Sequence, residues 1–417
     1  MKENNDVKSI VKRIMNKEAG KYGKFLAGAL LMALAFGYGC KKAYTPKIIS
    51  SGGNYLVVEG VINTGPDASI IRLSRTVPLS SNLSAKPETG AIINIISDGG
   101  LNYPVIEQGN GTYIGAIINS NAAVKYSIKI VTSNGEVYQS DFVSSKNSPP
   151  IDSVYYRVKS DGINIYSDTH DATNSSRYYR WEFTDTYLFH SAYNSYGYYS
   201  KYPVDTVLAR PQEQQIYACF RSDTSTNIIL NSTAKLVNDV VAANLISTIP
   251  STSEKIANRY TIQVKQYVLT PDAFNYYQQL KNNTESLGTI FDPQPSELPG
   301  NIHCQTNPAE VVIGYITAGT PSKTRIFIDN HNLPNWRADN YYGGCTLDSD
   351  YYVAHLSGGG TANQVAAYIF TGYHIPVLPI AVPRGPILGW SASLPSCVDC
   401  TLRGTNIRPG YWIDAGN

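Results

Sequence analysis

The stretch that decides the fold class is YLVVEGVINTGPDASIIRLSR, residues 55–75. Its first eight residues, 55–62, are mostly apolar and rich in valine and isoleucine, which favours a β-strand. Residues 63–66, NTGP, are a turn signal. Residues 69–75 then alternate apolar and polar side chains, as a strand with one buried face does. The stretch predicts two strands joined by a turn, and so the start of a β-sheet.

The same pattern continues to residue 148. Short apolar runs recur about every eight to twelve residues with turn signals between them, which is typical of a sandwich. This spacing predicts an immunoglobulin-like or similar β-sandwich over residues 54–148. Its further strands are expected at 91–96, 103–106, 111–114, 126–132 and 136–142.

Pro149 and Pro150 mark a boundary, because consecutive prolines cannot join a strand ladder. Beyond them, residues 149–417 are predicted to form a larger β-rich domain that ends in loops tied by disulfides. The fold class is therefore mostly β, with one docked amphipathic helix near 270–287. The expected strands of this region are 154–158, 163–166, 178–184, 228–232, 259–269, 311–317 and 324–329.

The helix is marked at its start. Thr270 suits the N-cap, and Pro271 suits the first helical position. Phe274, Tyr277 and Leu280 then recur at three-residue intervals, which gives one apolar face that can dock on a sheet.

The N-terminus indicates export. Residues 1–24 are basic, and the uncharged stretch at 25–39 is too short to span a bilayer comfortably, so residues 1–39 suit a signal peptide. Gly39 and Cys40 resemble a lipobox, although Gly37 stands where an aliphatic residue is usual. We expect Cys40 to be lipidated and residues 40–53 to be a tether; the alternative is a signal anchor with an incidental cysteine.

Composition and charge exclude a nucleic-acid-binding role. Residues 1–39 carry seven basic and three acidic side chains, so the formal net charge of +2 becomes about −2 after their removal. No basic face for nucleic acid is expected. The partner that this address implies is the membrane, held through the lipid anchor. The outer membrane is favoured, and the sequence leaves open which of its faces the protein occupies.

Five cysteines remain after Cys40, and an exported protein is expected to form disulfides. We expect Cys345 to pair with Cys397 or Cys400. A zinc site or a redox pair at the Cys397–Cys400 motif is the alternative, but a second ligand pair and a thioredoxin-like context are missing from the sequence. The disulfide candidates are Cys304, Cys345, Cys397 and Cys400.

The densest aromatic stretch, residues 178–202, has two interpretations. Alternating aromatic residues on strands build a core, whereas exposed aromatic side chains bind ligands or partners. Its second half, 187–202, contains more Ser, Asn and Gly and is interpreted as a binding loop. The candidate binding residues are Tyr187, Tyr193, Tyr196, Tyr198, Tyr199 and Trp336.

Catalytic signatures are thin. The six histidines fall in no metalloprotease or deaminase spacing, and no nucleophile elbow or phosphate-binding loop is present. Residues 168–171, DTHD, are interpreted as a polar turn rather than a cation site. We therefore expect no catalytic residue, no metal and no cofactor.

Several segments carry a resemblance to a known family. They are YLVVEG (55–60), IRLSRT (71–76), PIDSV (150–154), RYTIQVKQYVLT (259–270), IFDPQPS (290–296), GNI (300–302), GYI (314–316), RIFI (325–328), CVDC (397–400) and PGYW (409–412). In this order they resemble domain of unknown function 4249, a set of lipoproteins of the Bacteroidota. The resemblance implies an outer-membrane lipoprotein that assists a TonB-dependent transporter. It implies no catalytic residue and no ligand.

The function expected from the sequence is a lipid-anchored binding or accessory protein of the cell envelope that works with such a transporter in nutrient uptake. The alternatives are a structural or adhesive surface lipoprotein without a small ligand, and a hydrolase with an unrecognised site. A cleft holding a His–carboxylate pair would favour the hydrolase.

Overall fold

The computed structural model describes residues 54–77, 84–119, 124–285, 298, 300–339 and 341–414. The predicted signal peptide, Cys40, the tether and the last two residues of the predicted helix lie outside this part of the chain. Within it, no helix is both long and apolar enough to cross a membrane.

Among the described residues, nine strands precede the double proline. They are β1 (Leu56–Asn63), β2 (Ile70–Arg75), β3 (Lys86–Pro87), β4 (Ile92–Ser97), β5 (Asn102–Gly109), β6 (Thr112–Gly115), β7 (Lys125–Val131), β8 (Val137–Ser140) and β9 (Val143–Asn147).

The middle of the chain adds nine strands and one long helix. They are β10 (Ile151–Lys159), β11 (Gly162–His170), β12 (Tyr178–His190), β13 (Gly197–Ser200), β14 (Thr206–Ala209), β15 (Ala218–Thr224), β16 (Ile229–Ser232), β17 (Val240–Pro250), β18 (Arg259–Val268) and helix α1 (Pro271–Glu285).

The remaining strands are short and are followed by a four-residue helix. They are β19 (Ile302–Cys304), β20 (Thr317–Thr320), β21 (Ser322–Asp329), β22 (Asp348–Tyr351), β23 (Ala354–His355), β24 (Thr361–Ala362), β25 (Ile375–Ala381), β26 (Ile387–Ser393) and α2 (Pro395–Val398). Single turns of 3₁₀ or π helix lie at Gln212–Gln214, Glu254–Ile256, Asn330–Asn332, Val365–Ile369 and Cys400–Leu402.

The first sheet closes on itself. Its strands follow the order β7, β4, β5, β6, β2, β1, β20 and β9, and β9 pairs again with β7. β20 lies between β1 and β9 and is parallel to both, so a strand from after residue 300 completes the circle. Alternate side chains such as Leu56, Val58 and Leu73 fill the interior. The sheet thus crosses the predicted boundary at residues 148 and 149, while the domain division itself stays a prediction.

The second region is a sandwich of two sheets. One sheet has the order β10, β11, β17; the other has the order β15, β12, β18, β21, with β16 also paired to β12. Ile163 and Ile165 from the first sheet share one core with Trp181 and Ile262 from the second. The predicted fold class, mostly β with few helices, is confirmed.

Helix α1 begins where the sequence predicts. The Thr270 hydroxyl accepts a hydrogen bond from the Ala273 N–H at 3.2 Å, which caps the first turn. Ala273 and Tyr276 are its most buried residues, whereas Phe274 is half-buried, with its ring tilted against that of Tyr178. The docking face is therefore wider than the predicted three-residue repeat.

The C-terminal region is built around a small sheet in the order β22, β26, β25. Disulfide Cys345–Cys397 ties the start of this region to α2, and disulfide Cys219–Cys400 ties its end to β15 in the sandwich. Trp390 and Ala392 of β26 are buried in a small core of their own.

Candidate functional site: a cleft between two sheets

A cleft of about 800 Å³ lies between the closed sheet and the sandwich. Its volume falls in the range of small-molecule sites, about 300–1,000 Å³. One wall is the outer surface of β1, β2 and β6. The opposite wall is the outer surface of β12 and β18, and α1 closes one end.

The first wall combines apolar side chains with the charged residues Glu59 and Arg72. Strand periodicity directs Leu56 and Val58 into the core of the closed sheet and turns Val57 and Val61 towards the cleft. Ile70 and Ile114 extend this surface on the neighbouring strands, and they remain 43% and 36% exposed. This wall offers an apolar contact surface to whatever enters the cleft.

The second wall is charged and aromatic. Arg180 faces Tyr267 across the ladder between β12 and β18, and Glu182 faces Lys265. Arg180 Nη1 lies 2.7 Å from Glu182 Oε1, while its guanidinium carbon lies 4.8 Å from the centre of the Tyr267 ring. The ring of Tyr277, from α1, contacts it at 4.5 Å. These contacts hold the guanidinium in place.

Arg180 stays charged in this setting. Burial lowers the pKa of the guanidinium, but Tyr277, Glu182 and Tyr267 more than offset that effect, and the pKa of Arg180 lies above its ordinary value. Burial also raises the pKa of Tyr276, on the adjoining turn of α1, to about 12. The wall therefore presents fixed positive charge and neutral phenols.

The aromatic residues predicted from sequence do not line this cleft. Tyr187 is 4% exposed, on β12 between Arg221 and Tyr260 of the neighbouring strands, so its assignment to a binding loop is wrong. The two-residue alternation of aromatic residues from Tyr179 to Phe189, interrupted at Asp185, is the signal that places Tyr187 in the core.

The other predicted tyrosines lie near the small C-terminal sheet. The Tyr193 hydroxyl donates to the Cys345 carbonyl at 2.9 Å, and the Tyr199 ring stacks on Phe370. Tyr198 is half-buried beneath Arg210. Tyr196 alone among these four is mostly exposed, at 55%.

Trp336 is half-buried and packs against the sandwich core. It therefore contributes to packing. Because it does not line the cleft, no contact links it to a ligand bound there.

The cysteines pair in part as expected. Cys345 pairs with Cys397, one of its two expected partners. The candidacy of Cys304 for a disulfide is wrong: it is free and buried in the core of the closed sheet, and Cys219 instead pairs with Cys400. Both residues of the CxxC motif are thus consumed by separate disulfides, which leaves neither a redox pair nor a zinc ligand there.

Cys304 lies beside two carboxyl groups. Ligand atoms of Glu136, Cys304 and Glu310 lie within 4.8 Å of one another. Burial raises the pKa of Glu310, and a hydrogen bond with Glu310 lowers the pKa of Glu136. Arg75 Nη1 lies 3.4 Å from Glu310 and already supplies positive charge, so this cluster is an internal ion-pair network.

Histidine–carboxylate pairs occur away from the cleft. His374 Nδ1 lies 2.9 Å from Asp350 Oδ2, and its Nε2 lies 3.5 Å from Asp348, so both ring nitrogens face carboxylates. His170 pairs with Asp152 on the surface at 2.8 Å. The lining residues of the cleft include no histidine. The geometry that would favour a hydrolase is therefore not found at the cleft.

The interpretation of residues 168–171 as a polar turn is wrong for its first three residues, which end strand β11; the turn begins at Asp171, whose carbonyl accepts from the Asn174 N–H at 2.9 Å. The Asp171 carboxylate accepts hydrogen bonds from both the backbone N–H and the hydroxyl of Thr173 and of Ser175, and from the Ser176 N–H. Burial alone would raise the pKa of Asp171, but these donors lower it well below its ordinary value.

We predict that Asp171→Ala destabilises the protein by about 2 kcal/mol at pH 7, because several donors then lose a charged acceptor. A lowered folded-state pKa gives stability that is present above the unfolded pKa of about 3.9 and is lost as pH falls through the folded value. The difference in the free energy of unfolding between wild type and variant, measured by urea unfolding, should therefore be smaller at pH 3 than at pH 7. An equal difference at the two pH values would contradict this role of the carboxylate.

Comparison with protein families assigns the chain. The model described as "Domain of unknown function (DUF4249)" matches residues 41–325. The chain belongs to the DUF4249 family. No curated protein matches it. The DUF4249 match contains every lining residue of the cleft, from Val57 to Lys323, and ends before the small C-terminal sheet.

The cleft residues could not be selected from the sequence. Glu182 and Lys265 are polar positions on the predicted strands 178–184 and 259–269, which shows that they lie on the face opposite the core. Which surface opposes that face depends on how two separate β units meet, and no local pattern in either strand carries that information.

Proposed function

We propose that this DUF4249 protein is a lipid-anchored binding protein of the outer membrane that assists a TonB-dependent transporter in nutrient uptake. The N-terminal sequence supports the address: a basic segment, an uncharged stretch at 25–39 and Cys40 in a lipobox-like context. The lipid holds the protein at the membrane, and its ligand passes to the transporter. A periplasmic and a cell-surface position are both compatible with this proposal.

The cleft is the observation that carries the binding role. It combines apolar side chains with fixed charges, and sites for small ligands typically pair an apolar lining with a few well-placed polar groups. The lining contains the basic residues Arg72, Arg180, Lys265 and Lys323 and the acidic residues Glu59, Asp67 and Glu182. A ligand with one apolar side and one polar or charged side fits this arrangement.

The charged residues of the cleft also contribute little to the stability of the fold. Asp67 and Lys323 form an ion pair at its edge, and Glu59 and Arg72, neighbours on β1 and β2, are exposed. Exposed ion pairs contribute little to stability, about 0–1 kcal/mol. Charged residues lining an open cleft are therefore better explained by recognition than by folding.

Filling the cleft tests the proposal. We predict that Ile114→Trp, on the first wall, reduces by at least about ten-fold the amount of small molecule that is isolated with the protein from its native membrane. A loss of about 1.4 kcal/mol of binding energy is sufficient for this change. The measurement is mass spectrometry of molecules released from equal amounts of wild-type and variant protein.

The matched control is Ile92→Trp. Ile92 is 64% exposed on the outer surface of the same closed sheet but does not line the cleft. The control should retain the wild-type content. Equal contents in all three proteins would overturn the assignment of the cleft as the binding site.

A further inference from the structure

The hairpin formed by β25 and β26 ends in an unusually apolar arm. Residues 378–388 read LPIAVPRGPIL, and Arg384 is their one charged residue. All of residues 381–388 are exposed, and Leu378 is 49% exposed. We call residues 378–388 the apolar arm.

Both faces of the apolar arm are apolar and exposed. Ile387 and Leu388 are consecutive in β26, so they point to opposite faces, and they are 45% and 43% exposed. A hairpin with one face on a core and one in water should alternate apolar and polar residues. The missing alternation indicates that the whole arm is made for a non-aqueous environment.

The base of the same hairpin is firmly held. Val377 and Trp390 are each 4% exposed, and Gly389 lies so close to strand β22 that a Cβ atom there would come within 2.2 Å of the Asp350 carbonyl oxygen. The Cys345–Cys397 disulfide ties the adjoining helix to the preceding loop. The arm thus projects from a rigid base, which lowers the entropic cost of docking.

The prolines limit how the arm can bind. Pro379, Pro383 and Pro386 lack a backbone N–H, so the arm is a poor template for adding a strand from another chain. Its contacts must therefore come from side chains, as in the filling of an apolar groove.

The charge at the tip of the arm favours a protein groove over a lipid bilayer as its binding partner. Arg384 lies in the turn, where the Gly385 N–H donates to the Val382 carbonyl at 2.9 Å, and is therefore the first residue to enter any surface. A guanidinium is costly in the hydrocarbon of a bilayer. In a protein groove it is satisfied by a carboxylate, which it can bind through two parallel hydrogen bonds.

We propose that the apolar arm inserts into an apolar groove of a partner protein in the cell envelope and that a carboxylate in this groove binds Arg384. The inference deepens the proposed accessory function and rests on it, since it names the surface through which the lipoprotein contacts its partner. The arm lies beyond residues 41–325, the part of the chain that the family model matches.

The test compares full-length, tagged proteins isolated from detergent-solubilised outer membrane. The variants are Arg384→Glu and the double variant Leu378→Ser with Ile387→Ser. The control is Leu236→Ser with Val237→Ser, two exposed apolar residues in the loop before β17, 54% and 90% exposed. We expect wild type and control to retain one stoichiometric partner protein and both arm variants to lose it by at least ten-fold.

A reciprocal change gives the decisive result. Arg384→Glu should regain the partner when one acidic residue of the partner's groove is replaced by arginine, and no other pairing should do so. Retention of the partner by both arm variants would overturn the role of the arm and leave the accessory function intact. A wild-type protein isolated without any partner would overturn both.

Two further measurements identify the other possible occupants. The full chain carrying Cys40→Ser is mixed with phosphatidylethanolamine–phosphatidylglycerol vesicles and tested for flotation with them. Flotation that is lost in the arm variants would show that the arm binds a bilayer rather than a protein groove. If the same protein sediments as a dimer and the arm variants do not, the arm binds a second copy of this chain rather than a different protein. We expect neither vesicle binding nor a dimer.

Discussion

Replacing Arg75 with methionine should lower the free energy of unfolding by about 3–5 kcal/mol, because it leaves buried carboxyl groups without their counter-charge. Arg75 is 7% exposed at the end of β2. Its Nε lies 2.7 Å from Glu88 and its Nη1 lies 3.4 Å from Glu310. The Tyr138 hydroxyl, 2.7 Å from Glu310, belongs to the same network.

The arginine also holds distant parts of the chain together. Its Nη1 donates to the Asn54 carbonyl at 3.1 Å, at the start of the described chain, and Glu310 follows β19, which pairs with β8 in the first sheet. The substitution should therefore loosen the end of the closed sheet at which Arg75 contacts both Asn54 and Glu310.

The measurement is urea unfolding followed by tryptophan fluorescence and circular dichroism. Arg72→Met is the matched control: it lies on the same strand, faces outward and is exposed, so its cost should stay within about 1 kcal/mol. Equal effects of the two substitutions would show that the Arg75 network contributes no more than a surface charge.

Removal of the Cys219–Cys400 disulfide should destabilise the protein by about 3–5 kcal/mol. The bond closes a loop with a sequence separation of 181 residues, against 52 for Cys345–Cys397. In the chain-entropy description, the longer loop gives about 1 kcal/mol more stabilisation. Cys219 and Cys400 are also fully buried, so their replacement disturbs packing as well.

The comparison uses the double variant Cys219→Ala with Cys400→Ala beside Cys345→Ala with Cys397→Ala. Cys304→Ala controls for loss of a buried cysteine without loss of a disulfide. The midpoint of urea unfolding should fall most for the first pair and least for the control. A larger fall for the second pair would show that local packing, rather than loop length, dominates.

Much of the fold could be predicted because it is encoded locally. Alternation in 69–75 marks β2, and Thr270 with Pro271 marks the start of α1. These signals depend on neighbours a few residues apart, which is the range over which strand and helix periodicity operate.

Closure of the first sheet could not be predicted in this way. β20 pairs with β1 across more than 250 residues of chain, and its sequence, Thr-Ala-Gly-Thr, has no strong strand signal. Gly319 is needed there because a Cβ would come within 2.1 Å of the Lys146 carbonyl oxygen on β9. Close backbone approach of this kind is decided by the tertiary fold.

The candidate site shows the same limit. The aromatic stretch at 178–202 attracted the sequence interpretation because of its density, yet its alternating members Tyr179 and Trp181 are core residues. The cleft lining includes the intervening positions Arg180 and Glu182 on the same strand, together with Trp181 and Phe183. Their role depends on the outer surface of β1 and β2, which lies opposite only after both β units have formed.

The proposed accessory function is tested most directly by isolating the tagged protein from detergent-solubilised membranes of the cells that produce it, with quantitative mass spectrometry of what accompanies it. We expect a TonB-dependent transporter in near-equal amount, and a Cys40→Ser variant that is lost from the membrane fraction together with that transporter. A protein recovered alone, or with envelope proteins that include no transporter, would contradict the accessory function.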